Sequence, residues 1–253
     1  MRGILSLIRR VFDGICACLF ARKCAVCRVG IRDGALCSDC LSQVRKAIMT
    51  RCTDCGETIA ACRCTALCHR TVPVYSLMPY QPGKQDAASR LLLVRKERLN
   101  PSLEDTIAQM MSPLCLCAAA EMGGDASEWI ITWPPRSEKK RREVGHDQSE
   151  ESARRLSVLA GMELMPCIAR KHGANTAQKT LGAAQRAENA QDSFMLVPKY
   201  MDSLRGKRVI LIDDIATTGA TLSACASMLL EAGAACVVAL TAAKTVHGSE
   251  KQP

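Results

Sequence analysis

The sequence predicts an α/β body, a parallel sheet with helices on both faces, preceded by a small cysteine-rich head. Three observations carry this. Short β-branched runs alternate with helical stretches from residue 72 onward, the pattern of parallel strands joined by crossover helices. Eleven of the sixteen cysteines lie before residue 70, six of them in three Cys-x-x-Cys pairs. The apolar run Val209–Ile212 leads into Asp213-Asp214 and a turn of small and hydroxyl residues. The expected boundary falls at 70/71, with a head over 1–70 and a body over 71–253. Of the 253 residues, 48% are hydrophobic and 23% charged, which excludes wholesale disorder. Aromatics make up only 3%, so the core must be built from aliphatic side chains and Met.

No apolar stretch reaches the ~18 residues of a membrane span. Met1–Phe20 is interrupted by Arg9, Arg10 and Asp13 and lacks the form of an export signal. It reads as a short amphipathic helix, and the expected compartment is the cytoplasm. A reducing compartment disfavours disulfides, so clustered cysteines point to metal. Cys24, Cys27, Cys37 and Cys40 form one quartet. Paired Cys-x-x-Cys turns suit tetrahedral zinc, since each turn presents two sulfurs and a second pair closes the site. Cys52, Cys55, Cys62 and Cys64 form a second quartet, in which Cys68 or His69 could replace Cys64. About two structural Zn²⁺ ions are expected, with an iron–sulfur cluster as the rival. Gly30 and Gly56 follow their pairs where turns often need positive φ. Cys16, Cys18, Cys115 and Cys117 have no partner pair and read as small apolar residues on packed faces.

Along the body, strands are expected over 72–78, 128–132, 163–168, 208–212 and 236–241. Helices are expected over 87–98, over 103–121 behind a Ser102 cap, from the charge run 138–143 to about Leu159, and over 222–231. Residues 170–190 read as a loop or hood.

The segment Val209–Thr221 is the most informative. Ligands of open α/β sheets bind at the carboxyl ends of strands, and here two carboxylates stand at that end. Gly219 permits close backbone approach, and a helix N-terminus offers N–H groups to phosphate. Ala216, Thr217, Thr218, Gly219, Ala220 and Thr221 would form the phosphate cradle. Carboxylates repel a phosphate, so Asp213 and Asp214 need another target. A vicinal diol fits, because an ionised carboxylate accepts hydrogen bonds from both hydroxyls. A ribose carrying a 5-phosphate meets both demands. The segment is neither a Walker loop nor a dinucleotide loop.

These thirteen residues resemble the phosphoribosyl pyrophosphate (PRPP) signature of type I phosphoribosyltransferases. The chain from Cys24 onward resembles the ComF family, which joins an N-terminal double zinc ribbon to a phosphoribosyltransferase domain. Arg142, Gly145 and Gln148 match that family's Arg-x-x-Gly-Phe-Asn-Gln segment, with His146 and Asp147 departing from it. Gln178, Arg186 and Asn189 resemble its hood pattern, and Lys96 its Leu-Lys-Tyr lysine. Ile131–Pro135 replaces the usual Val-Pro-Val-Pro.

The resemblance implies binding of PRPP with Mg²⁺. The enzyme reading is a glycosyltransferase of the pentosyltransferase type, with Arg142 contacting pyrophosphate. His146 is expected to be structural. The alternative is a non-catalytic module that binds single-stranded DNA or a helicase-like competence partner. The chain carries 34 Lys+Arg against 25 Asp+Glu, a formal charge of +9, most of it in the head. Zinc-bound thiolates would offset part of that charge. Residues 21–70 contain no Phe, Trp or Tyr, so a DNA contact there would be to phosphates and salt-sensitive.

Overall fold

The computed structural model describes residues 22–49, 72–171 and 193–246. The helix expected within 1–20, Cys16, Cys18, Gly56, the second cysteine quartet with Cys68 and His69, and Gln178, Arg186 and Asn189 lie outside them.

The head contains β1 (Arg22–Lys23), antiparallel to β2 (Gly30–Ile31), and then α1 (Ser38–Lys46). The body runs β3 (Val74–Tyr80), α2 (Ala87–Glu97), α3 (Pro101–Met122), β4 (Trp129–Thr132), α4 (Glu138–Val144), α5 (Gln148–Ala160) and β5 (Glu163–Leu164). It continues with β6 (Ile168–Arg170), β7 (Phe194–Leu196), the short α6 (Met201–Leu204), β8 (Arg208–Ala216), α7 (Ala220–Glu231) and β9 (Cys236–Thr245). A five-stranded sheet has the order β3-β9-β8-β4-β5, with every neighbouring pair parallel. The α/β class expected from the alternation is the class observed.

Alternation along the strands divides the core between two faces. Trp129, Ile131, Ile210 and Ile212 pack with Leu103, Ile107, Met111 and Leu156 of α3 and α5. Ile130, Val209 and Leu211 pack with Leu222, Cys225 and Leu229 of α7. The head joins the first face: Cys24, Val26 and Val44 share its apolar cluster. Met49 N donates to Leu77 O at 2.8 Å, and Arg90 Nη2 to Val26 O at 2.9 Å.

Several local expectations are corrected. The cap of α3 is Asn100, whose side chain accepts from Leu103 N, and Pro101 opens the helix; Ser102 lies inside it. Proline suits the first turn, where its missing N–H costs nothing. The expected strand 163–168 divides into β5 in the main sheet and β6, which pairs antiparallel with β7. Pro166 sits between them and has no N–H for a ladder. The charge run forms its own helix, α4, which Gly145 ends at φ +81°. β8 extends four residues beyond Ile212, because β9 pairs with it as far as Ala216↔Lys244.

Elements α2, α3, α5 and β8 meet at Arg95, which is fully buried. Its Nε reaches both Glu104 carboxylate oxygens at 3.0 Å, and Nη2 reaches Glu104 Oε2 at 2.8 Å. Nη1 donates to Asp214 Oδ1 at 2.7 Å, and Nη2 also donates to Gln148 O and Ser152 Oγ. Arg95→Met is expected to destabilise the protein by about 3–5 kcal/mol, because it strands two buried carboxylates. Urea denaturation of Arg95→Met and of Arg95→Met/Glu104→Met checks this. The double variant should recover part of the loss, and a single variant as stable as wild type would refute the account.

Candidate functional site

The candidate site lies where β8 runs into α7. Asp213 and Asp214 are adjacent in an extended strand, so their side chains leave on opposite sides. Asp214 is buried and gives Oδ1 to Arg95. Asp213 Oδ1 accepts from Ser149 Oγ at 3.1 Å and from the Asp214 backbone N–H at 2.8 Å. Burial raises the Asp213 carboxyl to about 6, and the nearby charges of Asp214 and Asp147 add to the rise. The two donors oppose it only in part. Desolvation and like charge both favour the neutral acid, an arrangement frequent at functional sites.

Beyond Ala216, the chain turns through Thr217 and Thr218 to Gly219, the N-cap of α7, at φ +77°. This is the left-handed region, where L side chains are strained. A glycine cap has no side chain to cover the helix N-terminus, which faces a hollow of about 40 Å³ lined by Asp213 and Ala216–Thr221. Such a hollow has room for a water- or phosphate-sized group. Thr218 Oγ1 accepts from Ala220 N at 3.4 Å. Thus the residues assigned to ribose and phosphate, Asp213, Asp214 and 216–221, lie together in one strand–turn–helix unit.

Arg142 stands apart from this picture. It lies on α4 with its side chain 83% exposed and paired to Glu138 at 3.4 Å. His146 is buried, with Nδ1 at 3.1 Å from Val144 O and Nε2 at 3.1 Å from both Arg95 O and the Gln148 amide. Its role is structural, as expected. Asp147 caps α5 through Ser149 N and also accepts from Arg136 N at 2.8 Å, tying the loop after β4 to α5. Lys96 lies 5.3 Å from the centre of the Tyr80 ring.

Four residues escaped sequence reasoning. Arg95 sits in the run Arg95-Lys96-Glu97-Arg98, which resembles a solvated helix end. Only its spacing from Leu91 and Leu92 on the buried face of α2 hints otherwise. Ser149 gave no signal. Arg170 donates to Pro135 O at 3.2 Å and stacks 4.8 Å from the Phe194 ring, so it braces the same loop. Lys244, in the ladder opposite Ala216, is buried; a lysine ending an apolar strand is an available but weak signal.

In the head, the Sγ atoms of Cys24, Cys27, Cys37 and Cys40 all lie within 4.8 Å of one another. Cys27 and Cys37 are 3.6 Å apart. Tetrahedral thiolates at 2.3 Å from zinc stand about 3.8 Å apart, so this cluster could hold a metal ion. Burial opposes ionisation of Cys24, but backbone N–H donors at Cys27, Cys37 and Val26 lower its thiol to about 6. Burial pushes the Cys40 thiol up. The left-handed residue after the first pair is Arg28, at φ +67°, and not Gly30. Cys115 is buried as expected, whereas Cys117 is exposed and reaches Glu121 at 3.4 Å.

The fold is a phosphoribosyltransferase-like parallel sheet covered by helices. Residues 145–252 match the family described as "Phosphoribosyl transferase domain". The chain is also similar to the DNA utilization protein YhgH of Salmonella typhimurium, at 25% identity over 85% of this chain and 93% of the relative. The Escherichia coli protein of that name is 24% identical over the same shares. These relatives, the four-cysteine cluster and the domain match agree with the ComF resemblance. A glutamine PRPP amidotransferase from B. subtilis, complexed with ADP and GMP, is a distant structural neighbour. It is 18% identical with a TM-score of 0.36, covering 56% of this chain and 27% of that one.

The Asp213 environment generates a pH prediction. Its folded value of about 6 exceeds the ordinary 3.8, so the folded state holds the proton more tightly than the unfolded one. The associated stability is full below about pH 4 and is lost as pH rises through about 6. Asp213→Asn, which carries no such proton, should gain on the wild type by on the order of 1–3 kcal/mol between about pH 4 and pH 8. Urea midpoints at both pH values check this, and a constant difference would contradict it.

Proposed function

We propose that this protein binds a 5-phosphoribosyl ligand, PRPP with Mg²⁺, at the carboxyl end of β8. The observation that carries the reading is the continuous unit in which β8 presents Asp213 and Asp214 and then passes through a left-handed Gly219, a cap residue with no side chain, into the N-terminus of α7. Asp213 accepts hydrogen bonds from the ribose diol. Asp214 adds its electrostatic field from an anchored position, one of its oxygens being held by Arg95. The backbone and hydroxyls of 216–221 receive the 5-phosphate, aided by the positive end of α7. When bound, Mg²⁺ supplies charge neutralisation to the pyrophosphate. The exposed cations of α4, Arg142 among them, are candidates for the same role, and Arg170 holds the adjoining loop in place. The chemistry supported is pentosyl transfer, displacement of pyrophosphate from C1 by an acceptor.

A second reading, DNA handling, is favoured by the name of the relatives, "DNA utilization protein", and by the basic head. The two are compatible, because they use different parts of the chain.

Calorimetric titration with ribose 5-phosphate, and with PRPP and Mg²⁺, tests the first reading. Gly219→Val should abolish binding while circular dichroism stays unchanged. Asp213→Asn should weaken affinity by roughly 10- to 100-fold, from the loss of a charge-assisted hydrogen bond worth ~1.5–3 kcal/mol. Unaltered affinity in both variants would reduce the motif to a structural turn. Pyrophosphate release across a panel of bases and amines separates enzyme from sensor.

The metal assignment has its own test. Elemental analysis should find about two zinc ions per chain, and Cys24→Ser should lose one and aggregate, since zinc binding there is folding energy. Iron, or a metal content unaffected by Cys24→Ser, would overturn the assignment.

A further inference from the structure

The head meets α2 across a cleft of about 500 Å³, separate in its lining from the hollow at α7. Val26 and Arg28 wall it on the head side, and Arg90, Leu93, Glu97 and Arg98 on the helix side. Arg90 is committed to Val26 O, which fixes the two walls relative to each other. Arg28 and Arg98 are exposed, and neither forms an ion pair with a described residue. Leu93, 41% exposed, contributes an apolar surface between the charges.

Among the described residues, three guanidinium groups face a single carboxylate, which makes this cleft attractive to an anion. All three cations are arginines, whose planar forks match phosphate oxygens two at a time. No aromatic side chain among the described residues lines the cleft, and these residues offer no platform for stacked bases. A recess of this size admits a single extended strand and not a duplex. We infer that the cleft binds the sugar–phosphate backbone of single-stranded nucleic acid, with Arg28 and Arg98 on phosphates and Leu93 against the sugars. The inference rests on the DNA-handling reading above and assigns that reading a site. Recognition by backbone alone is independent of sequence and steeply salt-dependent.

The experiment is fluorescence anisotropy of a labelled oligothymidylate on the full chain across a salt series, with Arg28→Ala and Arg98→Ala. Each variant should weaken binding, and each should flatten the slope of log K against log salt by about 0.7, the contribution of one phosphate contact to a single strand. Arg28 adjoins a cysteine of the metal cluster, so zinc content is measured alongside. Arg98 lies away from the cluster and supplies the independent test. Ribose 5-phosphate affinity should be unchanged in Arg98→Ala, and oligothymidylate affinity unchanged in Gly219→Val. If wild type binds no oligothymidylate, the DNA-handling reading falls together with this site. If wild type binds but Arg98→Ala binds equally with the same salt slope, the site alone is wrong. Displacement by polyglutamate as effective as by unlabelled oligothymidylate would overturn nucleic acid as the occupant.

Discussion

The buried guanidinium of Arg95 is the constraint on which the site depends. One cation lies among Glu104 of α3, Asp214 of β8, and the Gln148 carbonyl and Ser152 hydroxyl of α5. The partners come from three different elements, so the network sets the position of three helices, α2 included, against the strand that carries the candidate site. Two carboxylates for one cation leave a buried excess of negative charge, which a low dielectric makes costly. Polar networks of this kind define a single arrangement rather than maximise stability. Here the arrangement defined is that of Asp214, immediately before the phosphate turn.

The neighbouring acid shows the other side of that constraint. Among the described residues Asp213 is bonded by a hydroxyl and an N–H and pairs with no cation, and its carboxyl is raised to about 6. A pair of adjacent acids thus divides into an anchored member and a member with unspent capacity to accept hydrogen bonds. Ligand hydroxyls would supply the missing donors, and so the stability withheld from the free protein becomes available on binding. Gly219 follows the same logic in the backbone, where a left-handed conformation and a missing side chain let the hollow reach the N-terminus of α7.

The head is more than an appendage to this body. Cys24 and Val26 are buried in the same cluster as residues of the sheet and helices, and its turn forms one wall of an arginine-lined cleft. A metal held by the four-cysteine cluster would therefore also shape the surface beside α2. The Ala216–Thr221 turn and this cleft share no lining residue, so the two proposed sites would not compete for one surface.

The sequence alone determined the alternation of strands and helices, the first cysteine quartet and the strand–turn–helix unit from Val209 to Thr221. Each rests on local rules: period-two burial, Cys-x-x-Cys turn geometry, and the need for glycine at a close approach. Its errors were also local. Ser102 gave way to Asn100 as a cap, and Pro166 divided a strand that composition alone made continuous. What only the tertiary structure decided was pairing between distant residues. Arg95 and Asp214 are 119 positions apart, and a charged residue in a charged run carries no mark that it will be buried. The depth of β8 likewise depended on β9, which extends the ladder past both acids. Periodicity reports which face a residue occupies, but the partner across the core is settled only when the elements pack.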